Sequence, residues 1–298
     1  MQIRRIAVGT DFSMESAVAV RQAMQLARHL GAEVILVHCY PMTQAQLNAH
    51  EQSLGHAEEF RQVLREAMSQ SHDRLAELHQ KLTGQGAEVS QLLADSPADV
   101  GLSQAAEQLR ADLVVVGSRG RTGFSRLLLG SVAEKVVRTC PTSVLVARGP
   151  EVRDGFRSVL LPTDLSDDTD DALELANALA REDAAVELLH CWMEPIPVVY
   201  EAGITTAGLV DEIRDNAVRN TQALRDRLAG PDGDLIASVI PGRPVSGTLQ
   251  HLEQGDYDLV VMSSHGRSGL RRLMIGSVAE AVVRHAPCSV AIVRSRER

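Results

Sequence analysis

Short apolar runs alternate along the chain with longer stretches of helical period. In the first half the runs fall at Ile3–Gly9, Glu33–Cys39, Glu88–Leu93, Leu113–Gly117 and Ser143–Ala147. Their length and aliphatic make-up predict strands buried on both faces, as in a parallel sheet. The segments between them predict helices. The longest carries a stripe at Phe60, Leu64, Ala67, Ser71, Leu75, Leu78 and Leu82, and a matching stripe recurs at Leu209, Ile213, Ala217, Thr221, Leu224 and Leu228. Both read as faces packed on a core. Pro97 and Pro244 each precede a helical pattern, where proline suits the first turn. Alternation of this kind implies parallel strands joined by right-handed crossovers.

The pattern is written twice. Asp112–Arg148 aligns without gaps on Asp258–Arg294, and 22 of the 37 positions are identical. The openings match as well, RRIAVGTDFS at Arg4–Ser13 against RSVLLPTDLS at Arg157–Ser166. So do the second runs, AEVILVHCY at Ala32–Tyr40 and AAVELLHCW at Ala184–Trp192. A repeat this long is a duplicated domain rather than a solenoid. The join, Gly149 to Gly155, is polar and rich in breakers. The fold class is α/β: two doubly wound, five-stranded parallel-sheet domains of Rossmann-like type, over residues 1–149 and 156–298.

Composition narrows the function. Of 298 residues 44% are hydrophobic but only 3% aromatic, so both cores rest on aliphatic side chains. A net charge of −9 argues against a general nucleic-acid or anionic-membrane binder. Cys39, Cys140, Cys191 and Cys288 are scattered, without a CxxC pair, and read as reduced thiols. No run is long and apolar enough to span a bilayer, and the first strand starts without a signal-peptide core. The expectation is a cytoplasmic protein. His50, His56, His72 and His79 lie in a polar, helix-rich stretch without a firm ligand pattern, so no metal site is expected.

Two segments carry chemistry. Gly117-Ser118-Arg119-Gly120 ends the fourth strand, and Gly130-Ser131 opens a helical pattern with Val132, Val136 and Val137 set to face inward. Glycines allow close backbone approach to a ligand, and a helix N-terminus favours anions. Arg119, Arg121 and Arg126 lie around this loop, and Arg267, Arg271 and Arg272 echo them. An ordinary strand–turn–helix connection would look similar. The second segment is Thr10-Asp11-Phe12-Ser13, repeated as Thr163-Asp164-Leu165-Ser166. Its acid suits either a helix cap or a carboxylate at the mouth of a cleft. Neither a Walker A loop nor GxGxxG is present.

Together these segments resemble the universal stress protein family over both halves. The family's G-x2-G-x9-G-[ST] motif is met by Gly117, Gly120, Gly130 and Ser131, followed by Val132. The resemblance implies ATP or another adenine nucleotide as ligand, with Mg2+ able to accompany it. Thr10 and Asp11 would meet the base or ribose, the backbone at Cys39 the base, and the glycine loop with Ser131 the phosphates. The matching positions are Thr163, Asp164, Cys191, Gly266, Gly276 and Ser277, but Ser263 stands where the first glycine belongs. That half is the less assured binder.

The resemblance implies a nucleotide-binding regulatory protein of the stress response. A slow ATP hydrolase and a member that binds no nucleotide remain open beside it. No general base pairs with the glycine loop and no Walker lysine is present, so dedicated catalysis is not expected. The last strands, Ser143–Ala147 and Ser289–Val293, would be exposed sheet edges, which leads us to expect an intrachain pseudo-dimer, with a further homodimer open.

Overall fold

The structure is a computed structural model. It describes residues 1–40, 57–120, 129–149, 151–194, 207–229, 234–264 and 275–294. Contacts divide the chain into a unit of Gln2–Asp154 and a second formed by Gly155–Arg298 together with Met1.

The first unit runs β1 (Arg5–Gly9), α1 (Met14–Leu30), β2 (Glu33–Cys39), α2 (Ala57–Leu82), β3 (Val89–Ala94), α3 (Ala98–Gln108), β4 (Leu113–Gly117), α4 (Ser131–Thr139) and β5 (Ser143–Ala147). Its strands are parallel in the order 3-2-1-4-5. The chain winds outward from β1 in one direction, then returns to β4 and winds in the other. The switch lies between β1 and β4, so their carboxyl ends part to leave a crevice. Side chains of adjacent residues leave a strand on opposite faces. Val116 lies against Gly9, which faces Leu102 of α3, whereas Gly117 faces the backbone of Glu15 in α1. Helices α1 and α3 therefore cover opposite faces. Ile6, Val8, Leu36, Leu113, Val115 and Leu145 are wholly buried between them.

The second unit repeats the plan with β6 (Phe156–Thr163), α5 (Asp168–Leu179), β7 (Ala180–Trp192), α6 (Ala207–Ala229), β8 (Leu235–Pro241), α7 (Pro244–Gln254), β9 (Leu259–Ser263), α8 (Ser277–His285) and β10 (Ser289–Val293). Its parallel order is 8-7-6-9-10.

The repeated aspartate before each fourth strand has a structural role that the pattern of apolar residues hides. Asp112 accepts the backbone N–H groups of Arg4 and Arg5 at 2.8 and 3.1 Å, and Asp258 those of Arg157 and Ser158 at 2.8 and 3.0 Å. Each carboxylate satisfies donors at the start of its unit's first strand and locks it beside the fourth. On α1, buried Gln22 donates to the Arg148 carbonyl at 2.8 Å and buried Gln25 accepts the Val152 N–H at 2.9 Å. These two amides tie down the chain leaving the first sheet.

Several expectations need correction. Strand β7 begins at Ala180, directly after α5, because its first residues extend past a register shift in β6 between Phe156 and Ser158. Of the described stripe residues, Leu75, Leu82, Ala217, Thr221 and Leu224 are buried, whereas Ala67 and Leu209 are exposed; the side chains of Phe60 and Leu64 lie outside the described residues. Val136 and Val137 face inward as expected, but Val132 is 41% exposed, because the first turn of α4 projects past the strand ends. Pro244 sits in the first turn of α7, while Pro97 is the residue just before α3.

Candidate functional site

Strand β1 delivers Thr10 and Asp11 to the crevice through a tight turn. Phe12 takes a left-handed backbone (φ 63°), as does Leu165 in the second unit (φ 65°). A bulky residue rarely adopts this conformation, so local bonds must hold it. Thr10 Oγ1 accepts the Phe12 N–H at 3.2 Å and Asp11 Oδ1 accepts the Ser13 N–H at 3.0 Å. Thr163 and Asp164 make the same bonds to Leu165 and Ser166, at 2.9 and 3.1 Å. Buried His38 completes the frame from β2, with Nδ1 2.7 Å from the Thr10 carbonyl oxygen, and His190 lies 3.0 Å from that of Thr163. The imidazoles fix the first strand's exit against the second. A histidine before the cysteine in both halves was the signal for this role.

The cap of α1 is Ser13, whose hydroxyl accepts the Ser16 N–H at 3.2 Å and donates to Asp11 Oδ1 at 2.5 Å. Asp11 therefore braces the cap rather than being it. Its other oxygen, Oδ2, lies beside Gly120, where a Cβ would come within 2.7 Å of it. In the second unit the helix starts one position later, with Asp167 as N-cap making no side-chain cap bond, and the buried Ser166 hydroxyl has no partner among the described residues. Ser263 gives a physical reason. A Cβ at Gly117 would sit 2.8 Å from the Glu15 carbonyl, so a serine at the matching position obliges the helix start to withdraw. Ser13→Ala should accordingly cost the first unit about 1 kcal/mol. Ser166→Ala should be neutral within about 0.5 kcal/mol or stabilising, since it removes an unsatisfied hydroxyl. Urea midpoints of the two variants check this contrast.

The glycine loop closes in the same way in both units. The Gly130 N–H donates to the Ser118 carbonyl at 2.8 Å and the Gly276 N–H to that of Ser264 at 2.9 Å. Gly130 and Gly276 are the N-caps of α4 and α8, and neither helix has a side-chain cap. Ser131 and Ser277 are thus first helical residues, not caps. Arg121, Gly123, Arg126, Gly266, Arg267, Arg271 and Arg272 lie outside the described residues.

One cavity of about 450 Å3 gathers Thr10, Asp11, Cys39, Gly117, Gly120, Gly130, Ser131 and Val132 in its lining, with Arg119 among them. Sequence reasoning missed its opposite wall, Ala98 and Leu102 of α3 together with Val37. These make one end apolar, while Arg119 and the first turn of α4 make the other polar, with Asp11 between them. In the second unit Thr163, Asp164, Cys191, Gly276 and Ser277 line a cavity of about 420 Å3, with Thr248 and Pro244 of α7 in the wall. Both volumes fall within the span of about 300–1,000 Å3 found for small-molecule sites.

The cavities offer poor nucleophiles. Burial, with the Asp99 charge adding to it, pushes the Cys39 thiol up to about 11, and burial also raises Cys191. Both are thiols at neutral pH, not thiolates. The expected histidine stretch is accounted for only in part. His79 Nε2 lies 3.0 Å from the Val89 carbonyl, and His50 and His56 lie outside the described residues. Among the described residues no group of three metal-binding side chains occurs, and no helix is long and apolar enough to cross a membrane.

Helix α7 is anchored by a polar cluster peculiar to the second unit. Glu187 of β7 accepts a bond from Tyr257 and lies 3.0 Å from His251 Nε2. The matching residues of the first unit are Ile35, Ala105 and Ala111. Burial pushes the Glu187 carboxyl up, but bonds from Ser238, Tyr257 and His251 outweigh it and hold it below the usual range. Burial and the Glu187 bond raise the Tyr257 phenol. A carboxyl lowered in the folded state contributes its full stability above its unfolded value, about 4.3, and loses it as pH falls through the folded one. Acid titration of the Glu187→Gln chain should therefore show a shallower loss of second-unit stability below about pH 4.3 than the native chain.

A full-length relative, a universal stress protein of Mycolicibacterium smegmatis, is 29% identical over 312 residues, covering 98% of this chain and 97% of the relative. A universal stress protein of Mycobacterium tuberculosis is 26% identical over 305 residues, covering 97% of this chain and 94% of that one. The crystal structure of a universal stress protein from Archaeoglobus fulgidus superposes over 99% of this chain and all of its own, with a TM-score of 0.71 at 19% identity, a likeness of fold. The model of the universal stress protein family matches residues 2–148 and again 155–294, and the chain belongs to that family as a tandem member.

Proposed function

We propose that the first cavity binds ATP or a related adenine nucleotide, and that occupancy is what the protein reports to its partners. The observation that carries this reading is the polarity of that cavity. Its apolar end, Val37, Cys39 and Leu102, suits a base. Asp11 lies between and suits a ribose hydroxyl, which a carboxylate accepts well. At the far end Ser131, Val132 and Ala133 form the first turn of α4, a helix with no side-chain cap, beside Arg119. Free N–H groups at a helix start, with a cation nearby, suit phosphate. Mg2+ would enter with the phosphates. The thiols' raised pKa values support a binding role over covalent chemistry.

The second cavity is proposed to take a nucleotide as well, more weakly at the phosphate end, where Ser263 replaces glycine. Mass spectrometry of small molecules released from the purified, denatured chain tests the reading, followed by calorimetry with ATP, ADP and AMP. An adenine nucleotide is expected in both. A chain that carries no purine and gives no binding heat at millimolar nucleotide would overturn it.

A further inference from the structure

The two cavities differ most where a base would lie. In the first, Leu102 of α3 forms the wall, and a Cβ on Gly9 would meet its Cδ2 at 3.1 Å. In the second, the same two positions hold Thr248 and Pro162. The exchange is coupled. A Cβ in place of Gly9 would press on the Leu102 methyl by tenths of an ångström, so proline there favours a smaller residue opposite it. Space alone would be met by valine, which has threonine's shape. The hydroxyl is an excess over what packing asks.

That hydroxyl is expensive inside the protein. Thr248 is 1% exposed, and the partner of its Oγ1 among the described residues is the Cys191 thiol, at 4.0 Å. A thiol is a weak partner, and a buried hydroxyl without a good one is destabilising. Gly247 lets this part of α7 approach closely, since a Cβ there would lie 2.9 Å from Cys191 Sγ. Helix, thiol and hydroxyl are thus packed together in the wall of one cavity. The first unit has Leu102 and Cys39 in that wall, and the hydroxyl packed nearby, that of Ser96, is not among the residues lining the cavity.

We infer that Thr248 is a specificity-determining residue of the second cavity, hydrogen-bonding a polar group on the edge of a bound purine that the first cavity meets with the methyls of Leu102. The inference rests on the reading of the cavities as nucleotide sites. The ligand class is a purine nucleotide with an exocyclic amino or oxo group on the edge facing α7. The two sites of one chain therefore rank purine nucleotides differently.

The test uses the full chain with the first cavity closed by Gly130→Val or, should that chain not fold, weakened by Asp11→Ala. In this background ATP, GTP, ITP and purine riboside triphosphate, which lacks the exocyclic group at position 6, are titrated calorimetrically. Thr248→Val removes only the hydroxyl, and Thr248→Ser keeps it. Thr248→Val should weaken the best-bound nucleotide about tenfold, change the ranking of the four, and leave the weakest ligand unaltered; Thr248→Ser should stay within about twofold of the parent. Equal affinities of the Thr248→Val chain and its parent for all four would overturn the inference while leaving nucleotide binding intact. If none of the four binds to the parent chain, the nucleotide reading of the second cavity falls, and the role of Thr248 falls with it.

Discussion

Gly130→Val should abolish nucleotide binding in the first cavity, with affinity falling at least about a hundredfold, or about 2.7 kcal/mol. The backbone conformation is not the reason, because φ at Gly130 is −68°, open to any residue. Space is the reason. A Cβ would meet Arg119 Cα at 3.1 Å and the Ser118 carbonyl oxygen at 3.5 Å, and both belong to backbone that cannot swing aside like a side chain. The Gly130 N–H to Ser118 carbonyl bond closes the loop, so displacing one strand of it opens the turn that carries Arg119 and Gly120. Branching at Cβ adds two methyls at the mouth where α4 begins. Gly130→Ala should already weaken the first site, though less than Gly130→Val, since its neighbour must give way by tenths of an ångström. Calorimetry on the two chains, with thermal melts as control, checks the order. Equal and small effects would remove the glycine loop from the binding site.

The fold was legible because its signals are repeated and local. Runs such as Leu113–Gly117 and Ser143–Ala147 match β4 and β5 residue for residue, since four consecutive aliphatic positions buried on both faces leave few alternatives. The duplicated Thr-Asp and Gly-Ser segments identified the crevice for the same reason. What stayed hidden depends on contacts between distant segments. Leu102 and Thr248 look like ordinary helix residues until α3 and α7 are laid over the strand ends. The cap of α1 could have been Asp11 or Ser13, because both residue types cap helices; the choice is made by the turn at Phe12, across which Asp11 bonds Ser13 and leaves the Ser13 hydroxyl to accept the Ser16 N–H. The withdrawn start of α5 follows from Ser263, nearly a hundred positions away. The trio Glu187, His251 and Tyr257 could not be read as a cluster, since its members fall on a strand, a helix and the loop that follows that helix.

Asp11 is where site and scaffold meet, and its two oxygens allow them to be separated. Oδ1 is used by the fold: it takes the Ser13 N–H at 3.0 Å and the Ser13 hydroxyl at 2.5 Å, and Ser13 in turn caps α1. Oδ2 lies on the cavity side, next to Gly120, which has no side chain to crowd it. Asp11→Ala removes both roles. It should cost roughly 1.5–3 kcal/mol of nucleotide binding, about ten- to a hundredfold, and about 1 kcal/mol of first-unit stability through the loosened cap. Asp11→Asn is the sharper probe. Its amide oxygen can still accept from Ser13, so the cap is kept and the loss of stability should be smaller than in Asp11→Ala. Its NH2 group then occupies the position of Oδ2, where it donates rather than accepts, and the negative charge is gone. Affinity should fall nearly as far as in Asp11→Ala. The matching Asp164→Ala change should reduce affinity less, because Ser263 already moves the helix start beside it. Paired urea midpoints and calorimetry decide between the roles. An Asp11→Asn chain that binds ATP as tightly as the native chain would make Asp11 a brace for the helix cap and nothing more.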